Sequence, residues 1–194
     1  MPKPLVEIVD YNPCWPAEFS AIGTALRGAL GELALRIDHI GSTAVPGLAA
    51  KDRVDVQIAV EGFERFDELR AGIEGLGYLP RPQIMGDHCP PGWQGNESEW
   101  AKRFFATPPE QRPINIHVRV LGRANQRYAL LFRDYLRAHP RSAAAYAELK
   151  RRLATNLADP TMYPEVKDPA CDLIIVAAED WAAATGWKPG PSDA

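Results

Sequence analysis

The segment "RVDVQIAV", residues 53–60, constrains the fold of this chain most strongly. Its branched apolar residues alternate with polar positions, which is the period of a half-exposed β-strand. The alternation predicts that Asp55 and Gln57 point to the same face of a sheet. An apolar segment before it, "LALRIDHI", is predicted to be a strand that ends at Gly41, so that a Gly-Ser turn lies just before the strand with the acid.

The remaining patterns predict helices on either side of these strands. Residues 15–31 and 63–77 place apolar side chains at helical spacing. "WAKRFFAT" and "PINIHVRV" are typical of strands, and the turn-rich "PPEQRP" between them predicts an antiparallel pair. From Arg123 onward three helices follow, the last predicted to begin at Asp168-Pro169, a capping residue followed by proline. The prediction is an α/β (α+β) fold, with a mixed sheet of about four or five strands flanked by helices and a C-terminal helical segment.

Length and composition limit the domain organisation and the class of partner. A chain of 194 residues that is 46% hydrophobic suits one domain, predicted over residues 1–187, with residues 188–194 as a disordered tail. The net charge of -3 gives no overall electrostatic footprint for a nucleic acid. Three widely spaced cysteines suit reduced thiols. No signal-peptide core or membrane-length apolar run is found, which predicts a cytoplasmic protein without a membrane partner.

Four runs of the sequence carry a resemblance to a known family. "RIDHIGSTAVPGLAAK", followed by "VDVQIAV" and later by "FRDYLRAHP" and "YAELKRRLA", resembles the GrpB family, a group of small proteins related to the nucleotidyltransferase superfamily. The resemblance covers nearly the whole chain. It implies a nucleotidyltransferase-like fold. A related domain is fused to dephospho-coenzyme A kinase in some proteins, which implies a nucleotide or coenzyme as the ligand.

The resemblance implies that the Gly-Ser turn binds phosphate. Closely spaced N–H groups at a turn make an anion-binding concavity, here formed by Gly41, Ser42 and Thr43. His39, just before the turn, is a candidate to orient a phosphate, although an ordinary buried histidine is the alternative. A Gly-Ser pair is by itself a weak motif, and a plain tight turn between strands is the competing interpretation.

Basic residues are the candidate phosphate clamp. Lys150 and Lys167 resemble basic positions of the family, with solvated surface lysines as the alternative. Lys102 and Arg103 are neighbours on one strand and must point to opposite faces, so at most one of them faces the site. We predict that Arg103 is that residue. The proline- and glycine-rich segment 80–95 is predicted to be an irregular excursion that covers the site.

The resemblance also implies a divalent-cation site, with Mg²⁺ or Mn²⁺ as the expected ion. Such a site needs carboxylates at positions i and i+2 of one strand and a third acid on its neighbour. This chain supplies Asp55, but position 57 is Gln, and Asn115 and His117 stand where the third acid is expected. Asp55 and Gln57 are therefore the candidate ligands. Asp55 and His117 are the candidate catalytic residues, with His117 as a general base or as a ligand of a softer ion.

Two functions follow from these residues. The first is a nucleotidyltransferase-like protein that binds a nucleotide or another phosphorylated small molecule at Gly41-Ser42 and transfers a nucleotidyl group. The second is a noncatalytic nucleotide- or coenzyme-binding module that has lost the metal-binding acids. Loss of one electrostatic catalytic group commonly slows a reaction about 100- to 1000-fold. The missing acids therefore predict slow or abolished transfer.

Overall fold

The structure, a computed structural model, describes residues 6–194. Within that range one mixed sheet of five strands is flanked by five α-helices. The strands are β1 (Arg36–Ile40), β2 (Val54–Val60), β3 (Leu79–Pro80), β4 (Lys102–Ala106) and β5 (Ile114–Val120). The helices are α1 (Trp15–Leu30), α2 (Phe66–Gly75), α3 (Ala124–Ala138), α4 (Pro140–Asn156) and α5 (Tyr163–Thr185). The predicted fold class is confirmed.

The order of the strands fixes which polar side chains meet. The sheet runs β1-β2-β5-β4-β3, with β2 and β5 parallel and the other neighbours antiparallel. Asp55 pairs with Asn115 across β2 and β5, and Gln57 pairs with His117. Since side chains alternate along a strand, these four residues share one face of the sheet.

The two faces of the sheet have different neighbours. On one face, Val56, Ile58 and Ile116 pack with α1 and α2 in a continuous apolar core. A second apolar cluster joins α3, α4 and α5 to the segment after β1, where it includes Leu48 and Leu131. The polar face of the sheet is left between the two clusters, and this is where the cleft described below lies.

Helix α5 begins earlier than the sequence analysis predicts. The chain has two Asp-Pro pairs, and the first, Asp159-Pro160, caps the short turn that leads into α5, because the Asp159 carboxylate accepts from the Thr161 N–H. The second pair lies inside the helix, with Pro169 in its second turn. The prediction that α5 begins at Asp168 is wrong, and the extra turns carry Tyr163 and Lys167.

The tail at residues 188–194 is also not disordered as predicted, because it packs along the outer edge of β1. Ser192 Oγ accepts from the Ile37 N–H at 2.8 Å, and the Asp193 carboxylate accepts from the His39 N–H at 2.9 Å. Asp193 also pairs with the Arg133 guanidinium at 2.7 Å. These contacts satisfy backbone groups of an edge strand that would otherwise be unpaired.

Two further points concern the described residues and their helices. Residues 1–5, which the single-domain prediction includes, lie outside the described residues. Within residues 6–194, none of the helices has the length and apolar character needed to cross a membrane.

Candidate functional site

A cleft of about 500 Å³ lies between the polar face of the sheet and the helices α3, α4 and α5. The turn after β1 closes one end, and the segment between β3 and β4 contributes Asp87 and His88 to the wall. The predicted excursion at residues 80–95 therefore does reach the site. Side chains that line the cleft include Ser42, Lys51, Asp55, Lys102, Asn115, His117, Arg119, Tyr128, Lys150, Tyr163, Lys167 and Asp168.

Gly41 brings the turn against the sheet. Its φ of 71° is in the left-handed region, which residues with a Cβ rarely adopt. A Cβ built at this position would stand 2.6 Å from Asp55 Oδ2. Glycine is therefore required here for two reasons, the backbone conformation and the close approach to the Asp55 carboxylate.

Lys150 is buried beside this turn. The residue is 3% exposed, and its ammonium donates to Ser42 Oγ at 2.8 Å and to the Ala49 carbonyl. It also lies 4.6 Å from the centre of the Tyr146 ring. Burial, together with the positive charge of Lys167, lowers the pKa of Lys150 to about 7. Lys150 is thus a cation whose contacts are a hydroxyl, a carbonyl and an aromatic ring.

Two further lysines extend this part of the cleft, which we call the lysine side and define by Ser42, Lys51, Lys150 and Lys167. The Lys51 ammonium stands 4.1 Å above the Tyr163 ring, and burial, with nearby Arg53, lowers the pKa of Lys51. Lys167 donates to Asp168 at 3.2 Å and to the Cys171 thiol at 3.1 Å. The ammonium groups of the lysine side therefore contact mostly neutral groups.

The opposite wall, which we call the sheet side, consists of Asp55, Asp87, Lys102, Asn115, His117 and Arg119. Asp55 accepts from Asn115 Nδ2 at 2.8 Å and lies 3.7 Å from His117 Nε2. Burial alone would raise the pKa of Asp55, but the contacts with His117 and Asn115 outweigh burial and lower that pKa. Asp55 is consequently an ionised carboxylate at the floor of the cleft.

The sheet side is a network of paired charges. Asp87 accepts from Lys102 Nζ at 2.6 Å and from Arg119 Nε at 2.8 Å, and Arg119 Nη1 donates to Gln57 Oε1 at 2.7 Å. Burial acts to raise the pKa of Asp87, but Arg119 and Lys102 hold it far below its ordinary value. Asp87, Lys102 and Arg119 thus each have an opposite charge within hydrogen-bond distance, whereas Asp55 contacts Asn115 and His117.

The cleft as a whole is cationic, whereas the protein is acidic. Lysine and arginine contribute six of its lining residues and aspartate three, a net charge of +3 with the histidines neutral. Because the whole chain carries -3, the rest of the molecule carries -6. A concave surface of one sign in a molecule of the other sign concentrates ligands of opposite charge, which here are anions.

Most of the predicted site residues line this cleft. Gly41, Ser42, Thr43, Asp55, His117, Lys150 and Lys167 are all part of its wall. His117 has both ring nitrogens engaged, since its Nδ1 lies 3.3 Å from Arg119 Nη2 and its Nε2 faces Asp55. In the tautomer that accepts from Arg119 at Nδ1, the lone pair that a general base needs is already engaged and the Nε2 N–H faces Asp55.

Three predicted residues do not line the cleft: Gln57 lies buried beneath it, and Arg103 and His39 face away from it. Arg103 points to the opposite face, where its guanidinium stacks 4.4 Å from the Phe63 ring. The prediction of Arg103 is wrong because β4 pairs Lys102, not Arg103, with Arg119. His39 pairs with Val56 and so faces the apolar core, where it stacks on Phe19 at 4.7 Å.

His39 therefore contributes to the turn rather than to the cleft wall. Its Nε2 lies 3.0 Å from Thr43 Oγ1, and burial lowers its pKa to about 4, so the ring is neutral. The prediction that His39 orients a phosphate fails, because the imidazole is buried on the far side of the sheet. Its contact with Thr43 instead fixes the conformation of the residues after Gly41.

Sequence reasoning missed Lys51, Tyr163 and Asp87, and of Lys102 and Arg103 it chose the residue that does not line the cleft. Lys51 is the last residue of the "GSTAVPGLAAK" run, and this position in the family motif was the signal that could have identified it. Tyr163 was hidden by the late start predicted for α5. Asp87 belongs to an irregular segment, so no periodic pattern in the sequence indicates where its side chain points.

The donor set does not fit a two-cation centre. Gln57 is fully buried and its oxygen already accepts from the Arg119 guanidinium, so the predicted ligand role of Gln57 is wrong. The Asn115 side chain directs its N–H, not its oxygen, toward Asp55. Because Mg²⁺ requires oxygen ligands, Asn115 in this orientation does not replace the missing acid. In the part of the chain that the structure describes, no group of three or more His, Cys, Asp or Glu side chains could hold a metal ion.

Comparison with known proteins gives the same family as the sequence motifs. The family model described as GrpB protein matches residues 5–176. A dephospho-CoA kinase of Mycolicibacterium paratuberculosis is 39% identical over 95% of this chain and 48% of its own length. The chain spans about half the length of the dephospho-CoA kinases that it matches.

Solved structures support the fold. A crystal structure of the conserved protein GrpB from Enterococcus faecalis matches with a TM-score of 0.70 and 28% identity, covering 88% of this chain and 98% of that one. The Cid1 poly(U) polymerase with Mg 3'-dATP bound matches with a TM-score of 0.50 and 12% identity, over 75% of this chain and 43% of its own. The second match shows a shared nucleotidyltransferase-like fold and nothing finer.

Proposed function

The chain belongs to the GrpB family, and from this premise we propose that it binds a nucleotide or another phosphorylated small molecule in the cleft, without requiring a divalent cation. The observation that carries the proposal is the net positive charge of the cleft in an acidic protein. A phosphorylated ligand brings the negative charge that the lysine side lacks.

The lysine side supplies the groups that recognise phosphate. Lys150 holds Ser42 at the start of the turn, and Lys51 and Lys167 line the same wall. Ammonium groups bind phosphate as point charges, and such charge-assisted hydrogen bonds are roughly twice as strong as neutral ones. An arriving phosphate would add counter-charge to these lysines, of which only Lys167, within the described residues, has a carboxylate within hydrogen-bond distance.

Aromatic side chains supply the apolar part of the site. Tyr128 and Phe132 stack with their ring centres 6.1 Å apart, and both line the cleft together with Tyr146. Ligand pockets typically combine such apolar walls with a few placed polar groups. The aromatic wall therefore suits the organic part of a nucleotide or coenzyme, while the lysine side takes its phosphates.

The relatives guide the choice of ligands to test. Because proteins named dephospho-CoA kinase contain a region similar to this chain, dephospho-coenzyme A and coenzyme A are tested together with the nucleotides.

The thiols Cys14, Cys89 and Cys171 are free, which supports the proposal that the protein works in the reducing cytoplasm.

The test is a thermal-shift panel with ATP, GTP, CTP, UTP, coenzyme A and dephospho-coenzyme A, each with Mg²⁺, with Mn²⁺ and with EDTA. A ligand at 100 times its Kd adds about 2.7 kcal/mol to the free energy of unfolding. We expect a shift of a few degrees with at least one ligand that persists in EDTA. A shift that requires the metal, is lost in Asp55→Asn and comes with pyrophosphate release would replace this proposal by metal-dependent nucleotidyl transfer.

A further inference from the structure

We infer that Lys102 and Arg119 form a built-in cationic subsite on the sheet side, which holds an anionic group of the bound ligand without a divalent cation. The inference rests on the proposed function for the class of ligand, but it concerns a different wall of the cleft. Its evidence is the arrangement of Lys102, Asp87, Arg119 and Gln57.

The two cations are placed together by the sheet. Lys102 and Arg119 are direct partners across β4 and β5, so both side chains stand on the face that carries Asp55. They are 7% and 5% exposed, and both line the cleft. They share one carboxylate, Asp87, which neutralises only one of the two positive charges. The Lys102–Arg119–Asp87 cluster therefore carries one net positive charge, and the other carboxylate of the sheet side, Asp55, contacts Asn115 and His117 and neither of these two cations.

Hydrogen-bond donors also remain. The Arg119 guanidinium has five N–H groups, and its contacts with Asp87, Gln57 and His117 use four of them. The Lys102 ammonium has three N–H groups, of which one donates to Asp87. Within residues 6–194, the remaining N–H groups of these two side chains have no hydrogen-bond partner. An anionic oxygen that enters the cleft can accept from them.

Gln57 keeps this charge available. The neutral amide accepts one hydrogen bond from Arg119 without cancelling its charge. A carboxylate at the same position would pair with the guanidinium and leave the cluster neutral. The neutral Gln57 disfavours a pair of metal ions beside Asp55. For the same reason it favours the binding of an anion at the cationic cluster.

Lys102→Gln tests the subsite, because Asp87 and Arg119 remain a balanced pair in that variant. The probes are inorganic tripolyphosphate and orthophosphate, titrated calorimetrically in EDTA. We expect about tenfold weaker tripolyphosphate binding and unchanged orthophosphate binding, since the single phosphate occupies the lysine side. Equal tripolyphosphate affinity in wild type and Lys102→Gln would overturn the inference. Wild-type protein that binds neither probe would instead contradict the proposed function.

Gln57→Asp separates the subsite from a latent metal site, because the two accounts predict opposite results. The subsite account expects weaker tripolyphosphate binding and no Mn²⁺ binding by electron paramagnetic resonance, since the new carboxylate pairs with Arg119. Mn²⁺ binding gained in Gln57→Asp, or already present in wild type and lost in Asp55→Asn, would overturn the inference. Thermal melts of each variant establish that the comparison is made on folded protein.

Discussion

The two sides of the cleft handle buried positive charge in opposite ways. On the sheet side, Lys102 and Arg119 share the Asp87 carboxylate. On the lysine side, Lys150 contacts a hydroxyl and a carbonyl, and Lys51 lies over an aromatic ring. The comparison separates two arrangements of charge, since the sheet-side cations share a carboxylate that also stabilises the fold, whereas Lys150 and Lys51 have neutral partners.

The lowered pKa values of Lys150 and Lys51 show what the second arrangement costs, whereas Cys171 and Asp168 outweigh burial and raise the pKa of Lys167. On the sheet side, burial lowers the pKa of Lys102 despite its contact with Asp87. A cation removed from water without a counter-charge is destabilised, and its pKa falls toward neutrality. Lys150 has the larger effect, with a pKa of about 7, and that of Lys51 falls in the same direction. Functional sites often retain such unfavourable arrangements because ligand binding relieves them.

The largest expected effect is the loss of stability when the charge network of the sheet side is broken. Asp87→Asn removes the carboxylate that Lys102 and Arg119 share and leaves two buried cations without a counter-charge. Breaking a buried ion pair in this way costs about 3–5 kcal/mol. Urea unfolding of the variant measures the loss. Asp67→Asn is the matched control, because Asp67 is 89% exposed in its pair with Arg70; losses of equal size in both variants would show that the sheet side holds no structural charge.

The second prediction concerns the pH dependence of stability on the lysine side. The folded protein releases the Lys150 proton near pH 7, whereas the unfolded chain keeps it up to about pH 10.4. Above pH 7 the unfolded state therefore binds more protons, and stability rises with pH by about 1.4 kcal/mol per unit from this group. Lys150→Met lacks this dependence.

Denaturant unfolding between pH 7.5 and 9.5 measures the difference. Over this range the free energy of unfolding of wild type is expected to rise by about 2–3 kcal/mol relative to that of Lys150→Met. Below pH 7 both states hold the proton, so the difference becomes constant. A constant difference throughout pH 7.5–9.5 would mean that Lys150 is not a strained cation, and the contrast between the two sides would disappear.

The third and smallest effect lies where the two sides meet. Gly41→Ala forces a Cβ toward Asp55 in a backbone conformation that favours glycine. We expect a loss of about 2 kcal/mol in the free energy of unfolding. Gly28→Ala in α1 is the control, because nothing lies within 4 Å of a Cβ there, and it should gain about 0.5–1 kcal/mol. Equal effects of the two substitutions would show that the turn does not depend on glycine.

The sequence predicts the central strands well because their period decides the face. Alternation alone places Asp55 with Gln57 and His117 with Arg119, and the structure confirms both pairs. The same rule could not choose between Lys102 and Arg103. The choice depends on the register between β4 and β5, and a shift of one residue moves every side chain to the other face.

The lysine side is harder to predict, since its members come from separate elements. Lys51 follows the Gly-Ser turn, Lys150 lies in α4, and Lys167 lies in α5. The start of α5 depends on which of two Asp-Pro pairs acts as the cap, and local sequence permits both. Only the packing of the helices against the sheet brings these residues to one cleft.

The central claim is that the lysine side binds the anionic part of the ligand. Its most direct test is calorimetric titration of tripolyphosphate in EDTA at pH 6.5 with wild type, Lys150→Met and Arg152→Met. Arg152 is the control, because it lies on the same helix, is 74% exposed and pairs with Glu148. The account predicts equal binding by wild type and Arg152→Met and at least about tenfold weaker binding by Lys150→Met. Undiminished binding by Lys150→Met would contradict it.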